Sequence, residues 1–370
     1  MKRYNHLYIK ITAFENLYSA AKKAEKGKRF QPEVANFNHQ LEANLLALQS
    51  ELETKTYQPS TYKSFYVHVP KKRMISVAPY RDRVVHHALC NVVMPLFEKS
   101  FIEDTYANRK GKGTHAAILR YQGFAKQYKY VLKCDIRKFF PSIDHDILKT
   151  IIRKKIKCQD TLLLINRILN NSNEQEAHQV YFEGDSLFTP FERRKGLPIG
   201  NLTSQWFGNI YLNEFDHFIK NELGIKGYVR YVDDFVICGN CKKALSVIKN
   251  KIIQFLGKYR LTLHTNKSQI HQTERGIPFL GFRIFPYYKT VCTSSKNRYR
   301  RNIRRKVRLK NKRQLSPQQL EDGLNSWLGH IRFGNNYRLE QEIFKDLRNR
   351  FVSVHIYTNL AWRVLEYIEY

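Results

Sequence analysis

The stretch Tyr228-Val-Arg-Tyr-Val-Asp-Asp-Phe-Val-Ile237 constrains the fold of this chain more than any other. Its Val, Ile, Tyr and Phe residues suit a buried strand. Yet Asp233 and Asp234 stand side by side within it. Strands disfavour Asp, and two neighbouring carboxylates make each other harder to ionise. The pair therefore points to a positive charge that the sequence does not spell out. A second apolar run, Val131-Leu-Lys-Cys-Asp135-Ile136, is interrupted by a carboxylate in the same way. A lone Asp-Asp pair also fits a solvated hairpin tip, so the pair by itself decides nothing.

The charge balance narrows the choice. Lys and Arg number 64 against 32 Asp and Glu, a formal net charge of +32. Self-repulsion on that scale calls for a polyanion, with nucleic acid first and an anionic membrane surface second. No apolar run approaches the length that spans a bilayer, and no signal-type apolar region follows the basic N-terminus, so no membrane association is expected. The 370 residues exceed what one core usually serves, and with 42% hydrophobic residues two or three lobes are expected. Six scattered cysteines suit a reducing compartment, hence a cytoplasmic location. Cys238-Gly-Asn-Cys241 lacks the second pair or histidine that a zinc site needs.

Along the chain, Val34, Phe37, Leu41, Leu45, Leu48 and Leu52 recur at helical spacing and predict a helix over 31–55. A strand is expected at Phe65–Pro70, followed by the basic patch Lys71-Lys72-Arg73, and then a helix over 81–99. Ser142-Ile-Asp144 reads as a helix start, and 170–190 as a loop or hairpin. The Gly/Pro-punctuated Lys195–Gly200 leads into an apolar helix over 203–221. A helix near 242–257 and strands near 261–264 and 278–285 follow. From Lys296 to Arg313 no acidic residue occurs, and Tyr299, Ile303 and Val307 form one helical stripe among Lys and Arg. A boundary is placed near 290–296.

If the segments bearing Asp135 and Asp233 lie side by side in one sheet, their carboxylates converge. Converged carboxylates suit Mg²⁺, a hard cation that leaves room for phosphate oxygens. Two such ions activate an attacking hydroxyl and stabilise a leaving phosphate oxygen. Basic residues such as Lys72 and Arg73 would then hold a triphosphate.

An ordered set of motifs resembles those of reverse transcriptases. Arg73-Met-Ile-Ser-Val-Ala-Pro79-Tyr-Arg-Asp82 resembles a fingers motif, and Tyr106-Ala-Asn-Arg109-Lys-Gly-Lys-Gly the next. Asp135-Ile-Arg-Lys-Phe-Phe140, Gly196-Leu-Pro-Ile-Gly-Asn-Leu-Thr-Ser-Gln205 and Tyr231-Val-Asp-Asp234 stand at the three palm motifs. Asn266-Lys267 and Phe279-Leu-Gly-Phe282 resemble the two that follow. The resemblance implies an α+β right-hand polymerase fold, with N-terminal helices and fingers at 1–125, a palm of antiparallel sheet and helices at 126–292 that carries a helix and loop insertion at 151–195, and a helical thumb with a C-terminal helical segment at 293–370. It implies that Asp135, Asp233 and Asp234 hold two Mg²⁺ ions with the carbonyl of Ile136. Lys71, Lys72 and Arg73 would grip the deoxynucleoside triphosphate. Phe140 would lie under its sugar and exclude a 2′-hydroxyl, and Lys267 would protonate departing pyrophosphate. Arg300, Arg301, Arg304, Arg305 and Arg308 would grip the duplex of template RNA and its DNA or RNA primer.

Ile199 stands where most of the family has Gln, and Gln205 where it has Pro. The pattern Ile199-Gly200-Asn-Leu-Thr-Ser-Gln205 resembles the reverse transcriptases of diversity-generating retroelements, as does Trp327-Leu-Gly-His330. That resemblance implies a bacterial or phage-encoded enzyme that copies a template RNA with errors at adenines. It also implies a small basic ring-forming accessory protein. A defence-type enzyme using its own noncoding RNA and a group II intron-like enzyme are the alternatives. The tyrosines Tyr357, Tyr367 and Tyr370 keep open a protein-primed reaction. An inactive RNA-binding scaffold would need the three aspartates to be dispensable.

Overall fold

The computed structural model describes residues 2–351, apart from 69–70, 174, 176–178 and 313. It is an α+β chain of two compact units. The first joins residues 1–113 to 131–270, and the second joins 114–130 to 271–370. Among the described residues no helix is long and apolar enough to cross a membrane. All six cysteines are free, Cys238 buried and Cys241 exposed.

In the first unit β1 (Lys63–Val67) and β2 (Arg73–Val77) form an antiparallel ribbon. Every residue of β1 is exposed, whereas β2 is partly covered. A second sheet has the order β4-β5-β3-β6, with β3 at Tyr130–Asp135, β4 at Tyr228–Tyr231, β5 at Asp234–Gly239 and β6 at Gln269–Gln272. Val131, Leu132, Val229, Phe235, Val236 and Ile237 are fully buried, so this sheet is a core element. The helix Tyr80–Glu98 packs on Phe14–Ala24 and on Leu202–Tyr211, and it keeps its course through an internal Pro95.

Several sequence expectations change here. The predicted helix over 31–55 is two helices, Pro32–His39 and Leu41–Glu53, broken at Gln40 where φ is −120°. Asn44 caps the first by donating to the Phe37 carbonyl, which ends the helical ladder there. The apolar helix after 202 ends at Tyr211 and resumes as Asn213–His217 and a π turn at Phe218–Glu222. Residues 261–264 form no strand; the pairing shrinks to one bridge, Ile136 with Leu263. Asp144 does start the helix His145–Lys155, its carboxylate accepting from the amides of Asp146 and Ile147.

The second unit is built on the three-stranded antiparallel sheet β7 (Ile277–Phe279), β8 (Phe282–Ile284) and β9 (Lys289–Val291). The helix Thr114–Ala125 joins it through Gln122, which donates to the Phe285 carbonyl, and through an edge-on contact of Tyr121 with Phe279. The basic segment is the helix Thr293–Asn311. Its stripe is as expected: Ile303 is buried with Leu320 and Leu324 of the helix Pro317–Arg332, flanked by Tyr299 and Val307. Tyr299 stacks on Trp327 at 4.4 Å. The helix Tyr337–Phe351 follows. The side chains of Phe344, Leu347 and Phe351, together with Trp362, Tyr357, Tyr367 and Tyr370, lie outside the described residues.

Candidate active site

The stretch containing Asp233 is a hairpin, not one strand. Tyr231 pairs with Asp234, so Val232 and Asp233 are the two residues of the turn. The hairpin-tip reading of the Asp-Asp pair and the catalytic reading thus describe the same place. Asp135 likewise ends β3 instead of interrupting it. The main chain ties the two acids together, because the amide of Ile136 donates to the carbonyl of Asp233 at 3.1 Å. On the other side of Asp135, its carbonyl accepts from the His264 amide at 2.7 Å. The segment that carries Lys267 is pinned to the same strand end.

The acids are near enough to feel one another's charge. The pKa of Asp233 is raised to about 6, by burial and then by the charges of Asp234 and Asp135, against a lowering by Arg73. Asp234 is also pushed up, chiefly by burial, with Lys133 and Lys267 opposing. Lys267 places Nζ 2.7 Å from Asp135 Oδ2. Among the described residues no three His, Cys, Asp or Glu side chains gather around one point tightly enough to hold a metal ion. The Lys267 ammonium instead occupies one oxygen of Asp135. The donor set nevertheless suits a hard divalent cation. Its carboxylates are oxygen donors that oppose each other's ionisation, and a cation between them would remove that opposition.

The nucleotide-side residues are placed as follows. Arg73 opens β2 and is exposed, with its charge felt at Asp233. Lys71 and Lys72 are exposed just before it, and Lys72 lies over the Tyr66 ring at 4.5 Å. Phe140 is half-buried in the short helix Phe139–Ser142. Gly208 leaves room for that helix, since a Cβ there would stand 3.1 Å from the Phe139 ring and 3.3 Å from the Phe140 ring. The Ile199 carbonyl accepts from the Ser76 amide at 2.9 Å, which fastens the Gly196–Gly200 loop to β2. Gly200 has φ +118°, and a Cβ would meet Ile75 at 3.0 Å. Gln205 is exposed on the helix Leu202–Tyr211.

Three features escaped the sequence reading. Asn201, 2% exposed, donates to the Ser76 carbonyl at 2.8 Å and accepts from the Ala78 amide at 3.1 Å. Lys133 acts on Asp234 from within β3. Arg230, 1% exposed, is paired with Asp216 beneath the hairpin. A charge inside an apolar strand was the available signal for the last two.

In the second unit Arg300, Arg301, Arg304, Arg305 and Arg308 are all exposed on the helix Thr293–Asn311. Arg300 pairs with Glu342 at 3.4 Å. Among the described residues the other four meet no carboxylate.

The profile of the reverse transcriptase (RNA-dependent DNA polymerase) family matches residues 63–284, a span that contains Asp135, Asp233, Asp234 and Lys267. The chain belongs to this family and has its α+β polymerase fold; as a member it is an RNA-directed DNA polymerase, a nucleotidyltransferase. Protein YkfC of Escherichia coli (strain K12) is 24% identical over 287 residues, covering 66% of this chain and 72% of YkfC. The group II intron-encoded protein LtrA of Lactococcus lactis subsp. cremoris is 24% identical over 216 residues, 57% of this chain and 33% of LtrA. An uncharacterized 91 kDa protein in the cob intron of Schizosaccharomyces pombe is 30% identical over 150 residues, 40% of this chain and 17% of that protein. The chain therefore spans a third or less of these last two relatives. Among solved structures, apo telomerase from Candida tropicalis matches with a TM-score of 0.48 at 14% identity, covering 82% of this chain and 64% of that one.

Proposed function

We propose that the chain makes cDNA on an RNA template by phosphoryl transfer at Asp135, Asp233 and Asp234. Burial raises the pKa of both Asp233 and Asp234, and the charge of Asp135 raises both further; this carries the reading, because it marks neighbouring acids that a cation would stabilise. In it, Asp135 and Asp233 would hold two Mg²⁺ ions with the Ile136 carbonyl, and Asp234 would support them. Bound Mg²⁺ supplies the charge that activates the primer hydroxyl and steadies the departing pyrophosphate. Arg73, with Lys71 and Lys72, orients the triphosphate, and phosphoryl transfer depends mainly on such positioning. Phe140 lies under the deoxyribose. Lys267, which pairs with Asp135, would protonate the departing pyrophosphate. In the same reading fingers, palm and thumb divide the chain near residues 125 and 292, and the arginines of Thr293–Asn311 grip the template–primer duplex.

The finer reading is an error-prone enzyme of a diversity-generating retroelement, working in the cytoplasm with a small basic accessory protein. Ile199 supports it. Ile has no side-chain donor or acceptor with which to penalise a misaligned base, and each lost polar contact is worth about 1 kcal/mol of discrimination. A second reading, a group II intron-like enzyme, is favoured by the likeness to LtrA. Sequencing cDNA made from a primed RNA of mixed sequence separates them. Errors concentrated opposite template adenines, and reduced in Ile199→Gln, fit the first reading. Accurate cDNA from the wild type removes it in favour of the second, and an error spectrum untouched by Ile199→Gln removes the role of Ile199.

A further inference from the structure

The turn that presents Asp233 is unfavourable on its own. Val232 has φ +57°. A two-residue hairpin turn with a positive first φ is usually served by glycine. A β-branched residue in that region is strained. Something must hold the turn in this shape, and its two carbonyls show what does. The Asp233 carbonyl accepts from the Ile136 amide at 3.1 Å. The Val232 carbonyl accepts from Nη1 of Arg230, also at 3.1 Å.

Arg230 is itself rigidly held. Its Nε donates to Asp216 Oδ1 at 2.7 Å and its Nη2 to Asp216 Oδ2 at 2.6 Å. Nη1 also reaches Asn209 Oδ1 at 3.3 Å, and Asn209 donates to the Ala107 carbonyl at 2.9 Å. Tyr228 completes the set by donating to Asp216 at 2.7 Å. Arg230 and Asp216 are 1% and 0% exposed in their side chains. A buried ion pair is a poor source of stability, so such a pair under a functional turn invites another explanation. A planar guanidinium can hold a carboxylate with two donors and present a third to a carbonyl at a fixed angle.

We propose that Arg230 is a positioning residue. It clamps the strained Val232–Asp233 turn so that the Asp233 carboxylate stays where a divalent cation is bound. The inference rests on the metal-dependent reading of the site. It concerns how well the cation is held, not whether the chain folds. Second-sphere groups of this kind set metal affinity by about 10–100-fold.

The test uses the full chain with Mg²⁺. Arg230→Lys keeps the charge opposite Asp216 but cannot span both Asp216 and the turn. Three readings are taken: the melting temperature without metal, the rise in melting temperature as Mg²⁺ is added, and the Mg²⁺ concentration at half-maximal cDNA synthesis. The expected result is a folded variant whose Mg²⁺ midpoint in both titrations moves up by about 10–100-fold. If Arg230→Lys does not fold, Arg230→Met with Asp216→Leu removes both buried charges together and is read in the same way. A variant that folds and keeps the wild-type Mg²⁺ midpoint, losing activity only with its folded fraction, overturns the positioning role. Wild-type protein that shows neither a Mg²⁺-induced shift nor cDNA synthesis overturns the function reading, and this inference falls with it.

Discussion

Asn201 offers the sharpest test of how the nucleotide side of the site is built. Its amide bridges the main chain of β2, donating to Ser76 and accepting from Ala78, 2.8 and 3.1 Å away. Ser76 and Ala78 are 0% and 3% exposed. In Asn201→Ala the Ser76 carbonyl and the Ala78 amide are both left buried without that partner. Each orphaned group costs about 1–3 kcal/mol, so the variant loses roughly 2–6 kcal/mol. For a unit of this size that is a fall in melting temperature on the order of 5–15 °C. The same bridge fastens the Gly196–Gly200 loop to the strand that begins with Arg73. KM for deoxynucleoside triphosphate should therefore rise, even at temperatures where the variant is fully folded. Scanning fluorimetry and steady-state kinetics read both effects. Asn201→Ala melting within about 1 °C of the wild type would refute the reasoning, since even one orphaned buried group costs more.

Other outcomes follow from the same geometry. Gly200→Ala must fit a Cβ 3.0 Å from Ile75 at φ +118°, and should lose about 1–3 kcal/mol, read as a lowered melting temperature. Asp233 has a folded pKa of about 6 against 3.8 unfolded, so the metal-free folded state binds the extra proton. Its contribution should lower stability as pH rises from about 4 to 6, by up to roughly 3 kcal/mol. The difference in melting temperature between wild type and Asp233→Asn, measured without metal, should change sign or size across that window, and a flat difference would contradict it. Replacing Arg301, Arg304 and Arg308 by Ala should weaken duplex binding and reduce the steepness of its salt dependence by about one unit per lost phosphate contact. An unchanged slope would take this helix out of the nucleic-acid interface.

The parts of the site that were legible in the sequence are those written in local contrast. Asp135 and the Asp233–Asp234 pair stand out because acids are rare among Val, Ile and Phe. The stripe of Tyr299, Ile303 and Val307 stands out because its spacing is helical. What was hidden depends on partners far along the chain. Arg230 finds Asp216 and Asn209, and Asn201 finds Ser76 and Ala78, through contacts that no periodicity records. The turn at Val232–Asp233 was masked for a related reason. Turn grammar expects Gly or Asn at a positive φ, and a valine held there by a buried guanidinium reads as strand. The break at Gln40 was lost because apolar spacing continues across it.

The most direct measurement of the central claim is Mg²⁺-dependent cDNA synthesis on a primed RNA by wild type and by Asp233→Ala. The account predicts deoxynucleotide incorporation by the wild type that requires the metal, and its loss in the variant without loss of fold. Synthesis that persists in Asp233→Ala would mean that the carboxylates of this hairpin are not the catalytic centre.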